Sequence, residues 1–307
     1  MAKKRILICG ANGYIGKQFI SAINCNQSEI DINVLDIHFG GQFDNKQIAI
    51  FEGSILNQEL LNEAVKNVDL VFHFSGKAIV RRGIELLADD FNNDVTGTIH
   101  LLNAMVSNGV SQIVFLSSGG AVYGEKNNLP IKEDEPLNPI STYGMVKKTC
   151  EELLKFYSDN HGIKSVVLRV ASIYGPNYNK IGKQGVIPTF IDSYKRKSDI
   201  NVYGTGDEIR DFLFIDDLTN ILLEIIHHFN QGTFNIGSGI PVSVNQIIEA
   251  LNQLSDYHPG ITYHKRNEQD IFSNVLDVSK VKGHYSWRPS FGLKDGISIC
   301  WAEANKD

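Results

Sequence analysis

A glycine-rich loop near the start of the chain constrains the fold more than any other feature. An apolar run at residues 6–9 is followed directly by Gly10-Ala-Asn-Gly13-Tyr-Ile-Gly16, and a helical pattern begins within the loop. Glycine allows a tight turn, a close backbone approach to a ligand and close packing of helix on strand. The helix N-terminus attracts an anion, because its first N–H groups lack partners within the helix. The loop therefore predicts a dinucleotide site at Gly10, Asn12, Gly13, Tyr14, Ile15 and Gly16.

Short apolar runs rich in β-branched residues recur along the first 170 residues and alternate with helical patterns. Such runs are typical of strands that are buried on both faces. They lie at residues 6–9, 33–37, 48–51, 70–74, 113–116 and 166–170. Apolar spacings of three to four residues predict helices at 95–106 and 143–157. This alternation predicts an α/β fold with a doubly wound parallel sheet.

The chain changes character after residue 170, where glycine and proline become frequent. A helix at 216–228 and a strand at 233–236 are expected to return to the main sheet, whereas a helix at 243–254 and a strand at 261–264 belong to a second region. We therefore predict two domains. Residues 1–172 and 208–236 form the dinucleotide-binding domain, and residues 173–207 and 237–307 form a smaller, discontinuous α+β substrate lobe.

Charge and cysteine usage exclude several functional classes. The net charge of −6 argues against a broad nucleic-acid surface, because such surfaces concentrate Lys and Arg. No apolar run reaches the length of a membrane span, so no membrane partner is expected. The four cysteines lie far apart and form no Cys/His cluster, so neither a disulfide framework nor a metal site is predicted. We expect a cytoplasmic protein with reduced thiols.

Asp36 bears on the choice of dinucleotide. It ends the second predicted strand, 20 residues beyond Gly16. A carboxylate there accepts hydrogen bonds from both ribose hydroxyls and repels a 2′-phosphate, so the pattern favours NAD over NADP. The alternative is an aspartate that only caps the following turn.

Tyr143 and Lys147 lie one helical turn apart on the same face of a predicted helix. A free phenol has a pKa of about 10, so it is a poor base at neutral pH unless a nearby cation favours the phenolate. The same spacing also occurs by chance as a core tyrosine beside a surface lysine. Ser117 and Ser118 favour chemistry, because they end a predicted strand at the edge where open α/β sheets bind ligands.

Taken in order along the chain, these segments resemble the NAD-dependent sugar-nucleotide epimerases and dehydratases of the extended short-chain dehydrogenase/reductase type. The resemblance spans nearly the whole chain and implies a Rossmann-type sheet. The segments that carry it are the glycine loop, Asp36, residues 115–124, Tyr143 with Lys147, residues 168–176, residues 210–217 and residues 234–237.

The resemblance also implies roles for individual residues. Tyr143 exchanges a proton with the sugar hydroxyl, Ser118 hydrogen-bonds that oxygen, and Lys147 orients the cofactor while hydride moves to or from the nicotinamide. Further cofactor contacts are expected from Ser54, Ile55, Phe74, Ser75, Lys77 and Ser117. The nucleotide-diphosphate sugar is expected to meet Ser118, Ser172, Val186, Arg210 and Arg266. By analogy, the two long helices form a homodimer interface.

Departures from the family pattern narrow the reaction and leave alternatives open. Dehydratases carry acidic residues after the catalytic hydroxyl, where this chain has Gly119 and Gly120, so dehydration is disfavoured. The remaining alternatives are 4-epimerisation, reduction of a 4-keto-6-deoxy sugar nucleotide with NAD(P)H, and a non-catalytic dinucleotide sensor. Ser118 lies 25 residues before Tyr143, but the position four before Tyr123 is Gly119, so Ser117 also remains a candidate hydroxyl. Neither the sugar nor the base can be read from these residues.

Overall fold

The computed structural model describes residues 3–26, 30–40, 47–77, 83–178, 185–267 and 270–306. Thirteen strands lie in these ranges. They are β1 Lys4–Cys9, β2 Ile30–Asp36, β3 Ile48–Glu52, β4 Leu70–His73, β5 Gln112–Ser118, β6 Lys164–Val170, β7 Ser172–Tyr174, β8 Ile200–Tyr203, β9 Ile209–Phe214, β10 Gly232–Ile236, β11 Pro241–Ser243, β12 Ile261–His264 and β13 Ser273–Asn274.

Ten α-helices lie in the same described ranges. They are α1 Tyr14–Asn26, α2 Gln58–Ala64, α3 Leu87–Asp90, α4 Thr96–Ser107, α5 Thr142–His161, α6 Val186–Arg196, α7 Ile215–His227, α8 Val244–Asn252, α9 Ser279–His284 and α10 Leu293–Ala304. A 3-10 turn, Ile84–Leu86, precedes α3, and a π-helical turn, Phe91–Val95, joins α3 to α4. None of these helices is long and apolar enough to cross a membrane.

Seven strands form one parallel sheet in the order β10-β6-β5-β4-β1-β2-β3. The chain runs outward from β1 in one direction through β3, and then crosses to β4 and runs outward in the other. This reversal confirms the predicted doubly wound sheet. Six of these strands were expected from apolar runs, and β10 was expected from the short strand predicted at 233–236.

The sheet is covered on both faces. Ile6 and Ile8 of β1 belong to one buried cluster, whereas the alternate residues Leu7 and Cys9 belong to a second cluster on the opposite face. Side chains of successive strand residues point to opposite faces, so this division follows from the strand geometry. Every parallel strand ends at the same edge of the sheet, and the candidate site lies at this edge.

Smaller sheets flank the carboxyl edge. β9 pairs with β7, β11 and β13, and β8 pairs separately with β12. The expected return to the main sheet is confirmed for β10, which pairs with β6, while α7 contacts α1. β9 instead forms the centre of the small sheet, although residues 208–236 were assigned to the dinucleotide-binding domain. The proposed division into two domains stays a prediction.

Candidate active site

The glycine loop has the geometry that a close approach of backbone to ligand requires. Gly10 has a φ of +84°, and a Cβ there would lie 2.6 Å from the backbone nitrogen of Ser75. A Cβ on Gly16 would lie 2.5 Å from the carbonyl oxygen of Gly10. Both distances are too short for a side chain, so the loop can exist only with glycine at these two positions. It leads directly into α1, whose N-terminus faces the loop.

Asp36 lies beside this loop at the end of β2. Its carboxylate accepts hydrogen bonds from the backbone nitrogens of Asn12 at 2.8 Å and Ile37 at 2.7 Å. The Asn12 side chain donates to the carbonyl of His38 at 2.6 Å, and its own Oδ1 is buried without a partner. Asp36 thus caps the turn, as in the alternative to ribose binding given above. Its two carboxylate oxygens have about four lone-pair positions, so they can also accept hydrogen bonds from ribose hydroxyls.

These observations together fit a dinucleotide. The cradle at Gly10 and Gly16 admits no side chain, α1 directs its N-terminus at it, and a carboxylate and an orphaned amide oxygen border it. The Tyr14 ring is buried and packs edge-on against Tyr178, with ring centroids 4.6 Å apart. Tyr14 therefore offers the cofactor its backbone, and burial raises the pKa of its phenol.

The other expected cofactor residues follow neighbouring strand ends. Ser54 and Ile55 come after β3, where Ser54 Oγ accepts from the nitrogen of Leu56 at 3.2 Å. Phe74, Ser75 and Lys77 come after β4, and Lys77 is exposed. Of this group only Phe74 lines the cleft described next.

A cleft of about 330 Å³ lies between the carboxyl edge of the main sheet and the smaller sheets. The structure brings eight of the expected residues together along its wall. These are Ile15, Phe74, Ser117, Ser118, Tyr143, Lys147, Ser172 and Arg210. They come from distant parts of the sequence, so their convergence supports the predicted site, and the volume suits a small-molecule ligand.

Ser117 and Ser118 face different surroundings because they are successive strand residues. Ser117 is buried, and its hydroxyl donates to the carboxylate of Glu151. Both residues line the cleft, but Ser118 is only partly buried. A Cβ on Gly119 would lie 2.6 Å from the Leu276 side chain, so a hydroxyl at that position has no room without movement. This geometry favours Ser118 as the hydroxyl that meets a substrate.

Tyr143 and Lys147 are positioned by the first turns of α5. Ser141 caps this helix by accepting from the nitrogen of Gly144 at 3.1 Å. Lys147 is 7% exposed, and its Nζ lies 5.0 Å from the centre of the Phe115 ring and 5.9 Å from that of Tyr143. Lys147 is therefore buried beside the Tyr143 ring and is not a surface lysine.

A buried polar network supports α5 and β5 from behind the cleft. Arg169 forms an ion pair with Glu151 at 2.7 Å and also donates to the Tyr123 hydroxyl at 3.0 Å. Tyr123 donates in turn to the side chain of Asn235 at 2.7 Å. Glu151 follows Lys147 by one helical turn and accepts from Ser117. The network therefore fixes both elements that carry the expected catalytic groups.

The substrate residues expected from the resemblance divide into two groups. Ser172, at the start of β7, and Arg210, on β9, line the cleft. The Arg210 guanidinium donates to the carbonyls of Phe272 at 3.1 Å and of Ile271, and burial lowers its pKa. Val186 begins α6 and Arg266 lies exposed near the Phe272 ring, and neither is part of the cleft wall.

Sequence reasoning missed other residues of the cleft. Ile140, Tyr178, Asp270 and Ile271 line it. They lie in irregular segments, where apolar periodicity gives no signal. Tyr178 follows the 168–176 segment closely, which is the only pattern that could have indicated it.

Comparison with known proteins agrees with this geometry. Residues 6–237 match the model of the NAD dependent epimerase/dehydratase family. A Methanocaldococcus jannaschii protein provisionally assigned as a UDP-glucose 4-epimerase is 32% identical over 305 residues, which cover 98% of this chain and 99% of that protein. The dTDP-4-dehydro-6-deoxyglucose reductase of Escherichia coli is 28% identical, with 96% of each chain covered.

A solved structure extends the likeness to three dimensions. The UDP-glucose 4-epimerase of Thermotoga maritima, solved with UDP-glucose, superimposes with a TM-score of 0.91 at 29% identity, and the match covers 98% of this chain and 99% of that one. The family model covers most of the chain, including the glycine loop, Tyr143 and Lys147. The chain therefore belongs to the NAD-dependent epimerase/dehydratase family, whose enzymes use NAD as cofactor.

Proposed function

We propose that this protein is an NAD-dependent 4-epimerase of a nucleotide-diphosphate sugar, with a UDP-hexose as substrate. The observation that carries the proposal is the convergence of Ser118, Tyr143 and Lys147 in one cleft that also reaches Arg210. The relatives from Methanocaldococcus jannaschii and Thermotoga maritima support both the reaction and the UDP-sugar.

NAD, when bound at the glycine loop, supplies a reversible acceptor for hydride. Gly10, Gly16, the N-terminus of α1 and Asp36 hold the dinucleotide in this proposal. Tyr143 removes the proton of the C4 hydroxyl as the C4 hydrogen leaves with its electron pair, so the sugar becomes a ketone. Return of the hydride to the opposite face, with the proton returned by Tyr143, gives the C4 epimer.

The remaining polar groups assist this exchange. The buried Lys147 side chain, whose Nζ lies 5.9 Å from the centre of the Tyr143 ring, orients the bound cofactor in this proposal. Ser118 offers a hydroxyl to the C4 oxygen, and Ser117 holds the end of β5 through Glu151. Arg210 lies where a guanidinium can receive the diphosphate of the substrate, a group that arginine binds through two parallel hydrogen bonds.

The second candidate is a reductase that consumes NADH on a 4-keto-6-deoxy sugar nucleotide. The Escherichia coli relative supports it, and the same Ser118, Tyr143 and Lys147 would serve. The two reactions differ in their cofactor balance. An epimerase regenerates its cofactor in every turnover, whereas a reductase oxidises one NADH for each sugar reduced.

The test is to incubate the purified protein with UDP-glucose and follow the C4 configuration by proton NMR without added reductant. Formation of UDP-galactose to equilibrium, with no net change in NADH absorbance, supports the epimerase. NADH oxidation that requires a dTDP-4-keto-6-deoxy sugar, with no epimer formed from UDP-glucose, would replace it by the reductase. A protein that retains NAD but converts neither sugar would contradict both.

We further propose that the protein is a cytoplasmic homodimer. α4 and α5 contact each other and carry exposed apolar side chains, Val106 on α4 and Met145 and Phe156 on α5. Their pairing with the same helices of a second chain would bury these side chains. Light scattering that gives the mass of one 34.2 kDa chain would contradict the dimer.

A further inference from the structure

Asp94 is a buried carboxylate beside the candidate active site that the proposed mechanism does not use. It is 6% exposed and lies in the π-helical turn Phe91–Val95, which leads into α4. Single π-helical turns are rare and occur frequently at functional sites. The buried side chain of Asp94 in this turn is therefore a candidate functional group.

Asp94 and Lys147 both lie near Gly76. The position that a Cβ would occupy on Gly76 lies 3.1 Å from Asp94 Oδ2 and 3.6 Å from Lys147 Nζ. The other carboxylate oxygen of Asp94 accepts from the backbone nitrogen of Lys77 at 2.7 Å. The buried carboxylate of Asp94 and the buried ammonium of Lys147 therefore both lie close to Gly76.

A second observation places both charges in one environment. Burial raises the pKa of the Cys150 thiol, and the charges of Lys147 and Asp94 act on it in opposite directions. Both charged groups therefore lie near the Cys150 thiol. Water does not screen them effectively, because both side chains are more than nine-tenths buried.

We propose that Asp94 sets the redox preference of the bound nicotinamide by countering the positive charge of Lys147. The inference rests on the proposed function, in which hydride passes directly between the ring and the carbon whose hydroxyl meets Tyr143. Direct transfer requires the ring to lie beside Tyr143 and Lys147. The ring is cationic when oxidised and neutral when reduced, so the carboxylate of Asp94 stabilises the oxidised form and the ammonium of Lys147 opposes it.

This preference suits an epimerase. A cofactor biased towards the oxidised form returns hydride to the ketosugar readily, so reduced cofactor does not accumulate on the protein. A reductase has no need of such a bias, since it must hold NADH until a ketosugar arrives. The charge balance at Gly76 is therefore a property of this chain that favours hydride return.

The test is the ratio of the dissociation constants of NAD+ and NADH, measured by fluorescence titration of cofactor-stripped protein without sugar. Asp94→Asn removes the charge but keeps an oxygen for the nitrogen of Lys77. It should raise the Kd of NAD+ relative to that of NADH about tenfold, as expected for one charge several ångströms away in a protein interior. Asp94→Glu keeps the charge and should restore the ratio of the unmodified protein.

Equal changes in both constants would overturn the inference, because they would show a structural role without redox preference. If Asp94→Asn does not fold, Asp94→Ser provides a smaller neutral side chain for the same measurement, and an unchanged ratio there is equally decisive. The proposed function is tested separately, since the titration contains no sugar. A shifted ratio in a protein that does not epimerise UDP-glucose would leave the role of Asp94 standing and remove the epimerase.

Discussion

The two sides of the cleft are built in different ways. On the cofactor side, one continuous stretch from β1 through the glycine loop into α1 forms the cradle, and Asp36 joins it through the nitrogen of Asn12. On the substrate side, segments far apart in sequence are joined by side chains that bind backbone. Arg210 donates to the carbonyl of Phe272, and the carboxylate of Glu125 accepts from the backbone nitrogen of Phe272 at 2.7 Å.

This difference separates local from long-range determinants. The cofactor side depends on backbone conformation, which glycine at two positions makes possible. The substrate side depends on a few charged side chains whose loss would free a whole segment. We therefore expect substitutions on the two sides to affect different properties.

The largest effect is expected for Tyr143→Phe, because the proposed function assigns the proton exchange to Tyr143, which lines the cleft. Loss of the phenol hydroxyl removes the group that exchanges the proton, which lowers turnover by about a thousandfold. NAD content after purification and the affinity for UDP-glucose should change little. Tyr178→Phe, in the same cleft, is the matched control and should retain most of the turnover. Equal losses in the two variants would contradict the role of Tyr143.

Gly16→Ala should break the cofactor side alone. The added methyl group would lie 2.5 Å from the carbonyl oxygen of Gly10 and 2.6 Å from that of Ala11, and backbone atoms cannot move aside easily. We expect loss of copurified NAD and a decrease of about 2 kcal/mol in the free energy of unfolding. Gly283→Ala adds the same methyl group where nothing lies within 4 Å, and it should retain both properties. Retention of NAD by Gly16→Ala would show that the loop is not the cradle.

This separation also explains what the sequence could predict. Six strands of the main sheet and the glycine loop have local signals, namely apolar runs and glycine spacing, and the structure confirms them. The pairing of β9 with β7, β11 and β13 has no local signal, because it depends on which distant segments meet. The choice between Ser117 and Ser118 also needed the structure. The hydroxyl of Ser117 donates a hydrogen bond to Glu151, and this contact has no signal in the sequence. Glu125 carries no motif, and its contact with a segment 147 residues away could not be foreseen.

Glu125→Ala should loosen the substrate side alone. The Glu125 carboxylate accepts from the nitrogens of Phe272 and Ser273, next to Asp270 and Ile271 of the cleft wall. Loss of these bonds should raise the KM for the nucleotide sugar about tenfold, while turnover and NAD content stay nearly constant. Glu135→Ala is a suitable control, because Glu135 forms an ion pair with Lys126 at 3.4 Å and does not line the cleft. A fall in NAD content in Glu125→Ala would mean that the two sides are not separable.

The smallest effect concerns His73, a buried histidine on the cofactor side. Its ring nitrogens lie 2.9 Å from the Thr98 hydroxyl and 3.0 Å from that of Ser75. Because the Thr98 hydroxyl donates to the carbonyl of Asp94 at 2.6 Å, Nε2 of His73 must be the donor to Thr98, which leaves Nδ1 to accept from Ser75. Burial, and to a smaller extent the positive charge of Lys147, lowers the pKa of His73 to about 3. The ring is therefore neutral at pH 7.

The sign of the pH dependence follows from this shift. Between about pH 3 and 6.5 the unfolded chain binds a proton that the folded chain does not, so the contribution of His73 to stability is complete above pH 6.5 and is lost as the pH falls. Urea unfolding should show that the free energy of unfolding falls between pH 7 and pH 5 by about 2 kcal/mol more in the unmodified protein than in His73→Gln. His264→Gln, on the exposed strand β12 of the substrate side, should keep the full loss. If His73→Gln loses as much stability between pH 7 and pH 5 as the unmodified protein, the folded state accepts a proton at His73. The hydrogen bonds that link Ser75, His73, Thr98 and Asp94 would then not hold the ring neutral.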